Sequence, residues 1–206
     1  MYRISKALLT IGVCILMVVG FHGVGKAALI ELSHFSSDTK IDPGLLSATL
    51  NFEVNGTELT LKVTNNSDFE IRQVYFNSKK DIGLSLTDQS PTSWNLDYNQ
   101  SAAGFGRFDY ALSTSPGNPE TDSLIKPGNT VEFYFNIDEN PTLAENFIAW
   151  SINPPGDTAT LAAAHFIRGG YDDDSAFGAA VPIPPAALLL VSGLGFLAVM
   201  RKKERT

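Results

Sequence analysis

Three consecutive carboxylates, Asp172 to Asp174, form the densest group of potential metal ligands in the sequence. Ca²⁺ prefers about six to eight oxygen ligands, so a loop carrying three carboxylates is a weak calcium candidate. The run lacks the alternating D-x-D-x-D-G spacing, and consecutive side chains do not all point at one ion without a special backbone. The alternative is a solvated acidic spacer, the commoner outcome for such a run.

Other catalytic or metal-binding chemistry has little support. His34 and His165 are the only histidines beyond the first 27 residues, and a zinc site would need carboxylates to complete it. His165 lies in an apolar segment, which favours a hydrogen-bonded core histidine. No serine lies in a G-x-S-x-G context, so a hydrolase triad is not indicated. We therefore expect no catalytic residue and no cofactor.

Aromatic side chains are the other potential binding groups, because a row of them could stack on sugar rings. On alternating strand positions they are more often core, so both interpretations stay open. The candidates are Trp94, Tyr98, Phe105, Tyr134 and Trp150.

The first 27 residues have the layout of a secretory signal peptide. Arg3 and Lys6 precede an apolar run, Ala7 to Phe21, and Gly25 and Ala27 then form a small-x-small pattern. We predict cleavage by signal peptidase after Ala27. An uncleaved anchor is the alternative, but about 15 apolar residues are short for a span of about 20.

Residues 181–206 have three parts in a fixed order. Val181, Pro182, Ile183, Pro184 and Pro185 form a proline motif, an apolar stretch follows to Met200, and a basic end begins at Arg201. Residues 183–200 would make about 27 Å of helix, enough to cross a thin bilayer. The basic end should stay cytoplasmic. A plain anchor and a sorting signal are both consistent with these properties.

This tail resembles the PEP-CTERM sorting signal, in its V-P-I-P-P form, with Ile183 where that family usually has glutamate. The resemblance implies Sec export, an inner-membrane-anchored intermediate, and cutting near the motif by an exosortase-type transpeptidase. It also implies delivery to the cell surface or an exopolysaccharide matrix. The segments 60–65, 71–77, 126–130 and 165–170 are similar to domains that precede such tails, which carry no assigned activity.

The net charge and the cysteine content further narrow the possible classes of function. Outside residues 1–27 and 201–206, 8 basic and 21 acidic residues remain, a net charge near −13. Such a surface repels phosphate backbones, so nucleic acid is excluded as a partner. Cys14, the only cysteine, lies in the predicted signal peptide, so the exported part has neither disulfides nor thiol chemistry.

The middle of the chain has the period-2 alternation of β-strands. Ala48–Val54 and Leu59–Val63 flank Asn55 and Gly56, which we predict to form a two-residue hairpin turn. Further strands are predicted at 71–76, 83–86, 108–112, 131–137, 148–152 and 162–169. For 162–169 a helix is the alternative, because the segment begins with three alanines. A single helical turn is predicted within 141–147.

These short strands predict an all-β fold, a single antiparallel β-sandwich flanked by a signal peptide and a C-terminal transmembrane helix. The predicted organisation is a lead-in at 28–47, a sandwich domain at 48–170, an acidic Gly/Ala linker at 171–180 and the sorting tail at 181–206. We expect a non-enzymatic envelope or extracellular-matrix (biofilm-associated) protein with a structural or adhesive role. A carbohydrate- or calcium-binding module is the alternative, and a secreted hydrolase is the third.

Overall fold

The computed structural model describes residues 27–33, 35–36, 41–79, 82–114, 123–138, 143–155, 159–168 and 171–180. These residues form eleven strands, two short 3-10 helices (Pro43–Leu45 and Ala144–Phe147) and no α-helix. The strands are β1 (Ala27–Leu32), β2 (Phe35–Ser36), β3 (Ala48–Asn55), β4 (Glu58–Asn65), β5 (Glu70–Phe76), β6 (Leu84–Leu86), β7 (Trp94–Ala102), β8 (Gly106–Thr114), β9 (Thr130–Ile137), β10 (Ala162–Arg168) and β11 (Tyr171–Ala179).

The strands form two sheets in which every pair is antiparallel. The first sheet has the order β1-β3-β4-β9-β6, and the second has the order β2-β11-β10-β5-β8-β7. The predicted all-β, antiparallel fold is therefore confirmed. The predicted signal peptide (1–27), except Ala27, and the predicted C-terminal helix (183–200) lie outside the described residues.

Alternating sequence patterns explain the strands of the first sheet. In β3, β4 and β9 the apolar residue at every second position faces inward and the polar one faces out. The β3–β4 hairpin differs from the prediction by one residue, because Asn55 pairs with Glu58 and the turn residues are Gly56 and Thr57. Gly56 has φ of 63° and Thr57 has a negative φ. This is the pattern of a turn with glycine at its first central position.

A layer of aromatic rings joins the two sheets. Phe76 of β5 lies with its ring centroid 5.4 Å from Phe52 of β3 and 6.3 Å from Phe135 of β9. Trp94 of β7 packs edge-on against Phe133 of β9 at 5.1 Å. All of these side chains are buried. The sheets therefore pack face to face and form a sandwich-like body with one main core.

Strand pairing corrects two predicted boundaries and adds one strand that was not predicted. β1 lies in the predicted lead-in, and it pairs with β3 along its whole length. β11 occupies the predicted acidic linker and pairs with β10 and β2. β7 was not predicted, because its exposed positions 98–101 carry no apolar alternation. Pairing with a neighbour, rather than the local pattern, makes these segments strands, and the body extends over 27–180.

The predicted strand at 148–152 is wrong. Only Ile152 pairs, in a single bridge to Arg107 at the start of β8, and Trp150 is 52% exposed. Pro154 and Pro155 follow at once and lack the N–H groups that a longer ladder needs. The predicted helical turn is confirmed, since Ala144–Phe147 is a 3-10 helix whose Phe147 stacks on Phe52.

The last residue of the described body, Ala180, lies at one end of the second sheet, which we call the exit end. The first residue, Ala27, lies elsewhere, because it pairs with Glu53 whereas β11 ends against Phe35, which follows the other end of β1. The described part of the β9–β10 connection is held at the exit end by Asn77, which follows β5 and donates to the Trp150 carbonyl. Ala162 pairs with Phe76 on one side, and its carbonyl accepts the amide of Ala180.

The substitution Phe76→Ala should lower the free energy of unfolding by about 3–5 kcal/mol, because it empties the contact between the sheets. Urea unfolding followed by circular dichroism measures the change. Leu29→Ala, at a 59% exposed position of β1, is the control and should cost less than about 0.5 kcal/mol. Equal effects of the two substitutions would contradict the proposed packing.

Candidate functional site

The exit end carries the largest exposed aromatic side chain of the described residues, Trp150, on a fixed backbone. The side-chain amide of Asn77, which is almost fully buried, donates to the Trp150 carbonyl at 3.0 Å. The Asn77 side-chain oxygen accepts the Asp109 amide at 2.6 Å. The Asp109 carboxylate in turn accepts the Ser78 amide at 3.1 Å. These bonds tie the β9–β10 connection to β5 and β8, so the backbone that carries Trp150 is anchored in the sandwich.

A shallow groove of about 330 Å³ lies beside this segment. Its lining includes the cation Arg107, the amide of Asn153, the hydroxyl of Ser101 and the apolar surfaces of Ile152 and Pro155. The Arg107 and Ile152 backbones exchange two hydrogen bonds of 2.8 Å.

Gly106 permits this close approach of the two chain segments. A Cβ at position 106 would lie 2.7 Å from the Ile152 carbonyl oxygen, and its φ is 91°. Only glycine adopts that backbone readily without a steric clash. The groove therefore depends on the close contact of the Gly106 and Ile152 backbones, which only glycine at position 106 allows.

The outer face of the first sheet is polar and holds a small charge network. Lys62 Nζ lies 3.3 Å from a Glu132 carboxylate oxygen, and the Tyr134 hydroxyl donates to the other oxygen at 2.6 Å. The hydrogen bond from Tyr134, followed by the nearby Lys62, lowers the pKa of Glu132. The same hydrogen bond raises the pKa of Tyr134, because it stabilises the protonated phenol. Lys62 is exposed, and Glu132 and Tyr134 are partly exposed, so this network contributes little to stability.

The outer face of the second sheet combines aromatic and polar side chains. His165 stacks on Phe177 with ring centroids 4.4 Å apart, and Tyr75 packs against Phe177 at 5.9 Å. The Ser113 hydroxyl donates to Asp97 at 2.5 Å. In the pairing register, Gln73 lies between Ser113 and His165. This serine therefore bonds directly to the carboxylate, with no histidine between them as a hydrolase triad requires.

Buried asparagine organises the opposite end of the sandwich. The side-chain amide of Asn65 donates to the Phe69 carbonyl at 2.7 Å and to the Ile125 carbonyl at 2.8 Å. Its side-chain oxygen accepts the amide of Ser67 at 3.0 Å and the hydroxyl of Ser67 at 2.7 Å. One side chain thus satisfies backbone groups of two loops. Asn65 is the last residue of β4, and no pattern in the sequence indicated this role.

The five candidate aromatics do not form one row. Trp94 and Phe105 are buried, and Tyr134 is half-buried on the first sheet. Tyr98 lies on the edge strand β7 and donates to the Leu84 carbonyl, while Trp150 lies on the β9–β10 connection. Trp150 has the most exposed ring of the five, and it lies two residues before Ile152, which lines the groove.

The remaining predicted site residues are placed as follows. Ala27 is the exposed first residue of β1, and Asp172, Asp173 and Asp174 lie within β11 rather than in a loop. Within the described ranges, no group of three or more His, Cys, Asp and Glu side chains is arranged to hold a metal. The processing residues Val181, Pro182, Ile183, Pro184, Pro185 and Arg201 lie outside the described residues, as does His34. In the part of the chain that the structure describes, no helix is long and apolar enough to cross a membrane.

The fold and these surfaces define the class as an all-β protein of two packed antiparallel sheets. Comparison with protein-family models, with curated proteins and with solved structures finds no match to this chain. Functional inference therefore depends on the residues and their geometry.

The substitution Asn65→Asp should lower the free energy of unfolding by at least about 2 kcal/mol near neutral pH. The carboxylate lacks the two N–H donors that now bind the Phe69 and Ile125 carbonyls, and it places a buried charge beside them. Asn66→Asp is the matched control, because Asn66 makes an exposed side-chain bond to Thr49. A similar loss for both variants in urea unfolding would show that Asn65 is not the organising residue.

Stability should also fall in alkaline solution because of Tyr75. Burial, and then the charge of Asp97, raise the pKa of Tyr75 from 10.0 to about 12. Because the pKa of Tyr75 is higher in the folded than in the unfolded state, protonated Tyr75 contributes to the free energy of unfolding. This contribution is complete below pH 10 and is lost as the pH rises toward 12. In Tyr75→Phe the fall in unfolding free energy between about pH 9 and about pH 11.5 should be smaller than in the unsubstituted chain. An unchanged fall in Tyr75→Phe would refute the assignment.

Proposed function

We propose that this is a non-enzymatic protein exported to the cell envelope or extracellular matrix, anchored and sorted by its C-terminal tail, with a structural or adhesive role. In this proposal signal peptidase cuts after Ala27. The apolar helix at 183–200 holds an inner-membrane intermediate, and an exosortase-type transpeptidase cuts near residues 181–185. The resemblance of the tail to the PEP-CTERM signal supports this sequence of events.

The observation that carries the proposal is that the described body begins and ends with paired strands, β1 and β11. The two predicted processing events therefore act directly beside the folded body, at Ala27 and just after Ala180. Loss of Ala27 would leave Ala28–Leu32 paired with β3, so the cut removes only the exposed first residue of the strand. Tethering after Ala180 leaves the outer faces of both sheets accessible for contacts. That arrangement suits a protein that works as a surface or matrix component.

The composition of the exported part supports the same conclusion. A net charge near −13 keeps an outer-surface protein soluble and disfavours anionic partners such as nucleic acid. The core contains no cysteine, so folding requires no disulfide formation after export. Burial of the aromatic layer supplies the stability instead.

A carbohydrate-binding role is the second candidate, and the groove beside Trp150 favours it. An exposed indole can stack on a sugar ring, and Arg107, Asn153 and Ser101 offer hydrogen-bonding groups to hydroxyls or a uronic acid. An exopolysaccharide would be a ligand of this chemistry. A calcium-binding role at Asp172–Asp174 remains a weaker alternative. The secreted-hydrolase alternative gains no support from the Ser113–Asp97 contact.

Intact-mass measurement with terminal peptide mapping tests the proposal on native protein from membrane and extracellular fractions. We expect a released form that begins at Ala28 and ends near residues 181–185. A membrane-bound form that keeps residues 186–206, with no released form, would make the protein an ordinary anchored one and contradict sorting. Substitution of Arg201, Lys202 and Lys203 by glutamine should reduce release if the basic end is part of the signal, because it weakens the cytoplasmic stop.

A further inference from the structure

The sandwich leaves almost no spacer before the predicted membrane span. β11 extends to Ala179, and the next residue, Ala180, is held in the sheet. The Ala180 amide donates to the Ala162 carbonyl at 3.2 Å, and its carbonyl accepts the Leu161 amide at 3.3 Å. Ala180 is 2% exposed. Only Val181 and Pro182 separate this anchored residue from Ile183, where the predicted span begins.

This short connection limits how far the body can lie from the bilayer. Three residue steps from Ala180 to Ile183 reach at most about 11 Å when fully extended. The polar headgroup layer on each side of the hydrocarbon core is about 5–8 Å thick. While the tail spans the membrane, the exit end must therefore lie in or directly against the headgroup layer.

The exit end carries side chains that suit this environment. The β9–β10 connection bears Leu143, Trp150 and Ile152, which are 41%, 52% and 38% exposed. Tryptophan is enriched where membrane meets water, because its ring is apolar and its N–H remains able to bond. The bond from Asn77 to the Trp150 carbonyl fixes the backbone of this segment.

Charge does not provide the attraction. The acidic exported part is repelled by anionic lipids, and the connection itself contains Glu145 beside the apolar side chains. The contact between the exit end and the bilayer must therefore come from the short tether and from burial of apolar surface. This contact should depend little on salt concentration.

We propose that the occupant of the exit end is the lipid headgroup layer of the membrane that the tail spans, with Trp150 placed in that layer. This inference rests on the proposed membrane-spanning tail. It adds that the domain is docked on the bilayer rather than suspended above it. Cutting at residues 181–185 then removes the tether and releases the docked surface together with the domain.

The two tryptophans of the chain allow a direct test, because Trp94 is 4% exposed in the core and Trp150 is exposed at the exit end. The full chain is reconstituted into neutral phosphatidylcholine vesicles, with or without lipids brominated near the headgroup. In the Trp94→Phe variant, the fluorescence of Trp150 should fall at least about twofold in brominated vesicles, since bromine quenches on contact. The Trp150→Phe variant, which reports Trp94 alone, should change little.

Two further variants make the test specific. If Trp94→Phe folds poorly, the difference between the unsubstituted chain and Trp150→Phe gives the Trp150 signal. A spacer of about 15 glycine and serine residues inserted between Ala180 and Val181 should restore Trp150 fluorescence, because it relaxes the tether.

Flotation of the vesicles distinguishes failure of the docking proposal from failure of the proposed membrane-spanning tail. Protein that floats with the vesicles but shows no quenching of Trp150, and instead full quenching by aqueous acrylamide, overturns the docking proposal alone. Protein that does not float overturns the membrane-spanning tail and the docking with it. Quenching that persists with the spacer would show that apolar attraction suffices without a short tether, and would overturn the tethering argument.

Discussion

The burial of one aromatic layer between the two sheets is the constraint on which the rest of the structure depends. Phe76 contacts rings of two strands in the opposite sheet, Phe52 and Phe135, and stacks on Tyr110 within its own sheet. Large aromatic side chains contribute most of the apolar area that a core of this size can bury. The single cysteine of the chain, Cys14, lies outside the described residues, so this aromatic layer is the main support of the described fold.

That layer also fixes the arrangement of the ends. Packing of β3 and β9 against β5 aligns the two sheets, and the described part of the β9–β10 connection is held at the exit end by Asn77. Phe147 of this connection stacks on Phe52, so the connection is part of the core as well as part of the surface. The exposed Trp150 segment is consequently held in place by the packing that stabilises the fold.

Buried amides hold the loops at both ends. Asn65 and Asn77 are both nearly inaccessible to solvent, and each bonds to backbone groups from segments far away in the sequence. A buried amide with all partners in place is favourable, whereas the loop carbonyls would be costly to leave unpaired. In the sequence these residues look like ordinary turn asparagines, because their distant partners Ile125, Asp109 and Trp150 are 32 to 73 positions away.

The sequence by itself determined the all-β class, the inward face of β3, β4 and β9, and the helical turn at Ala144–Phe147, because alternation and turn residues act locally. It also supplied the hypotheses of export and sorting, which depend on local composition. Tertiary structure decided that the acidic segment is strand β11 and that 148–152 is not a strand, because a strand exists only where a neighbour satisfies its backbone. It alone brought Ala180 and the backbone of Trp150 to one end of the molecule, since that proximity comes from strand order and sheet packing, which no local pattern encodes.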